Sequence, residues 1–426
     1  MSTVVVGGGL AGLYTAYRLT LAGHKVAVRE AAPHWGGMIS PVEVGGILVD
    51  AGAEAYAVRG GLAHALCTEL GLEVAGPVGT PHIWWSDGSH PMADGVLGIP
   101  GSLDDPALEV LTDTERARLA EDLTMDPAVG SDALTVGALA KARLGEAAVS
   151  KLIGPVAEGV YATTPDHLPL VAVAPGLHDA IAAEGSLIKA VASMRANRTP
   201  TVEQPVGGLF QLVEALVDRL QDLGADVRAA AAITHLRRSG QGFQVHTHDG
   251  EDLQAERLVL ATPASVSVRL LSPLGVELAA PPVNKTRQVI IASTNPALAE
   301  HPVGSGVLVA SRADVRAKAL THYSAKWPWA ASEGVEVLRL SYPEHVFPTR
   351  QEVIADASLL TGVALADSEV TGLASVSWDA MPTRIETANR DYLISEAAHI
   401  GIDLVGAWLD GNGVVNVLAG CERVQA

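Results

Sequence analysis

The chain has 426 residues, 48% of them apolar and only 4% aromatic, which is enough for two lobes around cores built mainly of Ala, Val and Leu. With 29 basic and 48 acidic residues the net charge is −19, which argues against nucleic acid or an anionic bilayer as a general partner and requires a local basic patch for any anionic substrate. Cys67 and Cys421 have neither metal-ligand nor redox spacing and read as buried thiols of a reducing cytosol. No signal peptide precedes the first apolar run, and no stretch of 18 uncharged apolar residues occurs. The chain is therefore expected to be cytoplasmic without a transmembrane anchor, peripheral contact with a membrane being left open. Asn197-Arg198-Thr199 and Asn284-Lys285-Thr286 match the glycosylation pattern but carry no weight without secretion.

Val4, Val5 and Val6 suit a strand buried on both faces of a parallel sheet. Gly7, Gly9 and Gly12 then give G-x-G-x-x-G where a helix should begin, with Leu10 and Ala11 in its first turn. These glycines allow a tight turn, close approach of a pyrophosphate and close helix-to-strand packing. Leu13, Ala16, Tyr17 and Leu19 continue at helical spacing, and a second strand, Lys25 to Arg29, ends at Glu30 and Ala31. A carboxylate there accepts hydrogen bonds from an adenosine ribose, and its charge opposes a 2′-phosphate, so NADP is disfavoured. The expectation is a dinucleotide whose pyrophosphate rests on the helix N-terminus.

Further along, Val42 to Val49 reads as a hairpin turning at Gly45-Gly46, followed by Asp50-Ala51-Gly52-Ala53-Glu54, Arg59 and an amphipathic helix from Leu62 to Leu70. Trp84-Trp85 with Asp87-Gly88 reads as a second hairpin. From about Leu103 to Asn197 the pattern is helical, interrupted by Pro155, Pro165, Pro169 and Pro175. Gly207-Gly208 leads into a helix from Leu209 to Leu223, then come a strand from Val227 to Leu236 and a hairpin turning at Asp249-Gly250. Leu258 to Ala261 is an apolar strand ending at Thr262-Pro263. Short strands at Gln288 to Ala292, Gly306 to Val309 and Val335 to Tyr342 suggest a sheet-floored domain. The end has the form strand (Ile402 to Ala407), Gly-rich turn and helix, whose N-terminus could face a ligand. The fold class is α/β.

Gly36-Gly37, after the first βαβ unit, resembles the second diglycine of the FAD-dependent amine-oxidase-like flavoproteins, with Met38 where a basic residue is usual. The resemblance implies FAD, a two-dinucleotide-binding-domain architecture, and a discontinuous FAD domain of residues 1–80, 201–263 and 386–426. An inserted helical lobe (81–200) and a substrate domain (264–385) complete it. Implied cofactor contacts are Gly36, Gly37 and Met38 at the pyrophosphate, Ala51, Gly52 and Ala53 near the flavin ring, and Ile233 on the adenine. Ala261 and Thr262 on the returning strand, with Gly406, Trp408, Gly413 and Val414 at the C-terminal turn, complete the set.

Gly159-Val160-Tyr161-Ala162 with Pro165, Leu168 and Leu170 is similar to the G-V-[FY]-A-G-x-P-x-x-L-S-L stretch of porphyrinogen oxidases, with Thr163 for Gly and Pro169 for Ser. Gly207-Gly208-Leu209 with Leu212 to Leu216, and Thr321 to Pro328, resemble that family's G-G-x-x-x-L-V-x-A-L helix and T-F-x-S-x-K-W-P strand. Its R-W-x-x-x-x-P-Q-Y stretch is altered here: Trp378 and Pro382 remain, while Ser377 and Thr383-Arg384 depart. The resemblance implies oxidation of a porphyrinogen, coproporphyrinogen III above protoporphyrinogen IX, with FAD as hydride acceptor, oxygen as oxidant, hydrogen peroxide as by-product, and a ferrochelatase downstream. Arg59 is the first candidate for a substrate propionate and Tyr161 for lining the tetrapyrrole pocket. Lys326 reads as a solvated edge lysine, Asp410 as a candidate only, and His246 and His248 as solvated rather than metal ligands; no metal is expected. No Ser/His/Asp or Cys/His nucleophile system stands out. An amine oxidase-like enzyme and a non-catalytic flavin-binding protein remain as alternatives.

Overall fold

Alternation of the N-terminal valines places Val5 in the core on one face of a sheet and Val4 and Val6 in the core on the other. The computed structural model describes residues 2–425 apart from 86, 162, 197–200, 241, 277–279, 311–314, 333 and 383–386. The first of two units comprises Met1–Gly76, Pro200–Gln288 and Val376–Ala426. Its centre is β1 (Ser2–Val6), followed by α1 (Leu10–Leu21) and β2 (Lys25–Arg29). β1 pairs in parallel with β2 and with Arg257–Leu260. The five-stranded order is Asp226–Arg228, β2, β1, Arg257–Leu260 and Ile402–Leu404, all pairs parallel.

One face of this sheet carries α1 with the helices Leu62–Glu69, Phe210–Asp222 and Val414–Cys421, joined through Leu13, Ala16, Tyr17, Leu212, Leu216 and Leu418. The other carries a three-stranded meander, Ile233–Ser239, Gly242–Thr247 and Asp252–Ala255, whose Phe243 and Val245 pack on Leu258 and Leu260. The thiols belong to this packing. Both cysteines are free and buried, and burial pushes Cys67 up and Cys421 up to about 12, so neither is ionised at neutral pH.

The strand expected from Val227 to Leu236 is broken in two. Asp226–Arg228 joins the parallel sheet and Ile233–Ser239 the meander. Between them Ala230 takes φ +52°, and the N–H groups of Ala230 and Ala231 donate to the carbonyls of Ala32 (2.8 Å) and Glu30 (2.7 Å). Those two bonds offset the roughly 1–2 kcal/mol that a left-handed alanine costs.

The second unit comprises Pro77–Thr199 and Val289–Ser375. The unit boundaries thus fall after 76, 199, 288 and 375, where the resemblance implies 80, 200, 263 and 385. The hairpin His82–Trp85 and Gly88–Pro91 extends a mixed sheet with Gly306–Val309, Ala319–His322 and Glu336–Tyr342, the first strand lying parallel to Gly306–Val309. Val283–Ser293 and Val370–Pro382 complete its order, so the strand expected at Gln288 to Ala292 is longer than its apolar run. The segment resembling a strand at Thr321 to Pro328 is extended only to His322. Tyr323–Lys326 is a helical turn, because Tyr323 and Trp327, four residues apart and each 0% exposed, are buried on one side of it. Lys326 is thus half-buried on a turn, its ammonium 5.4 Å from the Trp327 ring, and is not an edge-strand lysine.

Helices between Pro106 and Ala196 enclose a separate core that includes Leu139, Leu152, Ile153 and Val191. Asp122 and Arg143, both fully buried, are paired at its rim. Asp122 also accepts from Ser186 Oγ (2.6 Å) and Ile188 N–H (2.9 Å), and Arg143 donates to the Val129 carbonyl (3.0 Å). Removing one partner leaves the other charge buried without compensation. Asp122→Asn is expected to lower the stability of this unit by about 3–5 kcal/mol in denaturant unfolding followed by circular dichroism.

Candidate functional site

The C-terminal edge of the five-stranded sheet is where an open α/β sheet binds its ligand, and the glycines there are spaced by contact as well as by sequence. Gly7 has φ +110°, and a Cβ on it would lie 2.7 Å from the Ala261 carbonyl oxygen. A Cβ on Gly12 would lie 1.9 Å from the Gly7 carbonyl oxygen, so only glycine lets α1 start this close to β1. Gly9 is different. Its backbone is ordinary (φ −77°, ψ 176°), and a Cβ would meet no protein atom nearer than Gly36 O at 3.8 Å. The space over Gly9 is a cradle that a methyl group would enter without clashing with the protein.

Gly9 caps α1 without a side-chain hydrogen bond, and the first turn, with Leu10, Ala11 and Gly12, contains no acid. The leading N–H groups of a helix have no carbonyl ahead of them, so this end offers free donors and the positive end of the dipole to an anion. Glu30 sits beside it. Its carboxylate accepts from Gly8 N–H (2.6 Å) and Ala32 N–H (2.8 Å), and carboxylate oxygens retain lone pairs for a ribose. The Ala231 bond to the Glu30 carbonyl brings the chain leading to Ile233 against this end, while Ile233 itself is 6% exposed and Ala31 is exposed.

Gly36 bridges to Gly9 and donates its N–H to Gly8 O (2.8 Å), placing Gly36, Gly37 and Met38 beside the α1 N-terminus. Met38 O accepts from Ala53 N–H (3.0 Å), which brings in Ala51, Gly52 and Ala53. Trp378 lies against that segment: its Nε1–H donates to Ala51 O (3.3 Å), and a Cβ on Gly52 would approach its ring to 3.1 Å. Asp50, fully buried, holds the same segment by accepting from the N–H groups of Leu209 and Phe210 (3.0 Å each). This cap was not anticipated; the acid lies about 160 residues from the helix it caps. Ala261 N–H donates to Val6 O (2.8 Å), and Thr262 Oγ1 lies 2.8 Å from Ser267 Oγ.

The C-terminal helix Val414–Cys421 repeats the α1 arrangement: Gly413 (φ +103°) caps it without a side chain, and no acid lies in its first turn. Val414 is buried in the core shared with α1. Gly406 (φ +133°) opens the preceding turn. Trp408 is 2% exposed and packs with Leu404 and Leu409, and its Nε1–H has no acceptor among the described residues. Asp410, expected only as a candidate, is an anchor: it pairs with Arg390 (2.9 Å) and Arg423 and comes so close to Gly420 that a Cβ there would strike it. Arg59 is exposed, with one guanidinium nitrogen 3.5 Å from Asn416 Oδ1 on the C-terminal helix.

Tyr161 belongs to the second unit, 41% exposed at the last position of Gly154–Tyr161. His246 pairs with Asp252, and His248 is exposed in the turn. Residues 162, 383 and 384 of the family-like stretches lie outside the described residues. Among the described residues no helix is long and apolar enough to cross a membrane.

A parallel sheet that presents two uncapped, glycine-bounded helix N-termini and an acid at the end of its second strand defines a dinucleotide-binding protein, and the residues fit the group. The sequence matches the family of flavin-containing amine oxidoreductases over residues 10–301, and the chain belongs to it; FAD is its cofactor and oxidoreduction its chemistry. It is 32% identical to a coproporphyrinogen III oxidase of Mycobacterium leprae, over 99% of this chain and 97% of that protein. It is 26% identical to a coproporphyrinogen III oxidase of Staphylococcus aureus, over 79% and 77%. A solved structure from Exiguobacterium sp. 255-15, provisionally assigned as a protoporphyrinogen oxidase, superposes with TM-score 0.79 at 25% identity, over 99% of this chain and 97% of that one.

Gly9 and Gly12 separate cofactor space from folding space. Gly9→Ala is expected to leave the melting temperature of the apoprotein unchanged and to weaken FAD binding at least about tenfold in a fluorescence titration. Gly12→Ala is expected to lower the apoprotein melting temperature itself.

Proposed function

We propose that this protein oxidises coproporphyrinogen III to coproporphyrin III, with oxygen as the final acceptor. The observation that carries the reading is the chain-long likeness to the Mycobacterium leprae coproporphyrinogen III oxidase. Six hydrogens leave the macrocycle in three two-electron oxidations, so three O2 are reduced to three H2O2 for each porphyrin formed. FAD supplies the hydride acceptor and delivers the electrons to oxygen.

The chain's own residues bind and orient. The α1 N–H groups with Glu30 hold the adenosine and pyrophosphate, and the second helix N-terminus at Gly413–Val414 offers donors to the flavin end. Arg59, near the first turn of that helix, is the cation for a substrate propionate. The gain in aromaticity drives each oxidation, so positioning suffices without a nucleophile. The product is the substrate of a metal-inserting ferrochelatase, and the setting is the cytoplasm or the face of a membrane reached without a spanning helix.

Anaerobic mixing of the purified flavoprotein with each porphyrinogen tests this. Coproporphyrinogen III is expected to bleach the flavin rapidly, with porphyrin fluorescence and peroxide on admitting air. Bleaching by protoporphyrinogen IX alone overturns the substrate in favour of that relative, and no bleaching by either overturns the porphyrinogen reading. Arg59→Ala is expected to raise KM about tenfold while changing kcat less than about twofold, and Arg59→Lys to restore most of the loss.

A further inference from the structure

Two histidines and a glutamate outside the flavin site, all within the second unit, converge on one point. One ring nitrogen each from His301 and His322 and one carboxylate oxygen of Glu336 lie within 4.8 Å of one another. The strands explain how. His322 ends Ala319–His322 directly opposite Leu338, and Glu336 lies two residues from Leu338 on the same face of the neighbouring strand. His301 closes the turn before Gly306–Val309, and the chain that follows it is tied to His322, whose N–H donates to Ser305 O (3.1 Å). The two imidazoles meet edge to face with centroids 5.2 Å apart.

His322 is the informative member. It is 0% exposed; its Nε2 lies 3.0 Å from Glu336 Oε2, and its Nδ1 has no partner among the described residues. A buried ring nitrogen without a partner costs about 1–3 kcal/mol, so the protein leaves this imidazole's bonding unfinished. Ser324 Oγ bonds the same Glu336 oxygen and also accepts from Val337 N–H (3.0 Å), which fixes the carboxylate. Beside the cluster is a cavity of about 240 Å³ lined by Val78, Gly79, His301, Gly304, Ser324 and Pro328. His301 is exposed, so the cluster is open to solvent on that side.

We propose that His301, His322 and Glu336 bind a divalent transition-metal ion of the zinc class, with solvent from the cavity in the remaining position. Two imidazole nitrogens and one carboxylate suit Zn2+ and disfavour Mg2+ and Ca2+, which prefer all-oxygen shells. Bound there, the ion cross-links the turn at His301 to two adjacent strands of the sheet and stabilises this unit without taking part in flavin chemistry. The inference stands apart from the choice of porphyrinogen.

The test uses the FAD-loaded protein, stripped of metal with a chelator and then titrated with Zn2+ against a chromophoric competitor. Bound zinc is counted by mass spectrometry after gel filtration. One zinc per chain is expected, with a melting temperature about 3 °C higher at a hundredfold excess over Kd. His301→Ala and Glu336→Gln are each expected to weaken binding at least about tenfold and to abolish the thermal shift, with the flavin spectrum unchanged. His301 is exposed, so its removal leaves the core intact and keeps the test interpretable. Less than half a zinc per chain in the unmutated protein, or equal zinc affinity in the His301→Ala variant, overturns the proposal.

Discussion

The first unit depends on the approach of Gly12 to the carbonyl of Gly7, a gap in which no side-chain carbon fits. That contact lays the start of α1 against the end of β1, and Gly7, at positive φ, lies where a side-chain carbon would strike the Ala261 carbonyl. Because the backbone is drawn in so tightly, the free N–H groups of α1 stand at a fixed place at the edge of the sheet. Gly36 and Glu30 gather around them through bonds to Gly8. Further pieces follow in a chain of bonds: Ala231 to Glu30, Ala53 to Met38 next to Gly37, and Trp378 to Ala51.

Charge is handled in two ways. Within the scaffold it is compensated: Arg29, 1% exposed, sits between Asp226 and Glu251, Asp122 is paired with Arg143, and Asp410 lies between Arg390 and Arg423. At the cradle it is left open, since neither glycine-capped helix carries an acid in its first turn. In a chain of net charge −19 those uncapped ends are local sources of positive potential for an anion.

Much of the first unit was legible because its signals are local. The valine run, the G-x-G-x-x-G and Glu30 lie within thirty residues, and each type is demanded by one backbone geometry. The break at Ala230 was not legible, since alanine announces no turn and the bonds that stabilise it come from Glu30 and Ala32. Nor was the Asp50 cap, whose helix begins at Phe210. Trp408 entered the site through the family resemblance alone, and the burial of its indole with Leu404 and Leu409 has no local signal in the sequence. The cluster of His301, His322 and Glu336 left no trace in spacing: its members are separated by 21 and 14 residues and meet through a strand pair and the turn that holds His301. Tyr323 to Lys326 looked extended until the burial of both Tyr323 and Trp327 set the helical period.

The first unit is assembled from three stretches that lie far apart in the sequence. Synthesis delivers β1, α1 and β2 well before the strand Ile402–Leu404 and the helix Val414–Cys421 that packs on α1. The glycine turn at Gly7 to Gly12 therefore stands beside an unfinished sheet and an open core until that later stretch is made. Capture of FAD then reports on Ile402 to Cys421 as much as on the glycines themselves.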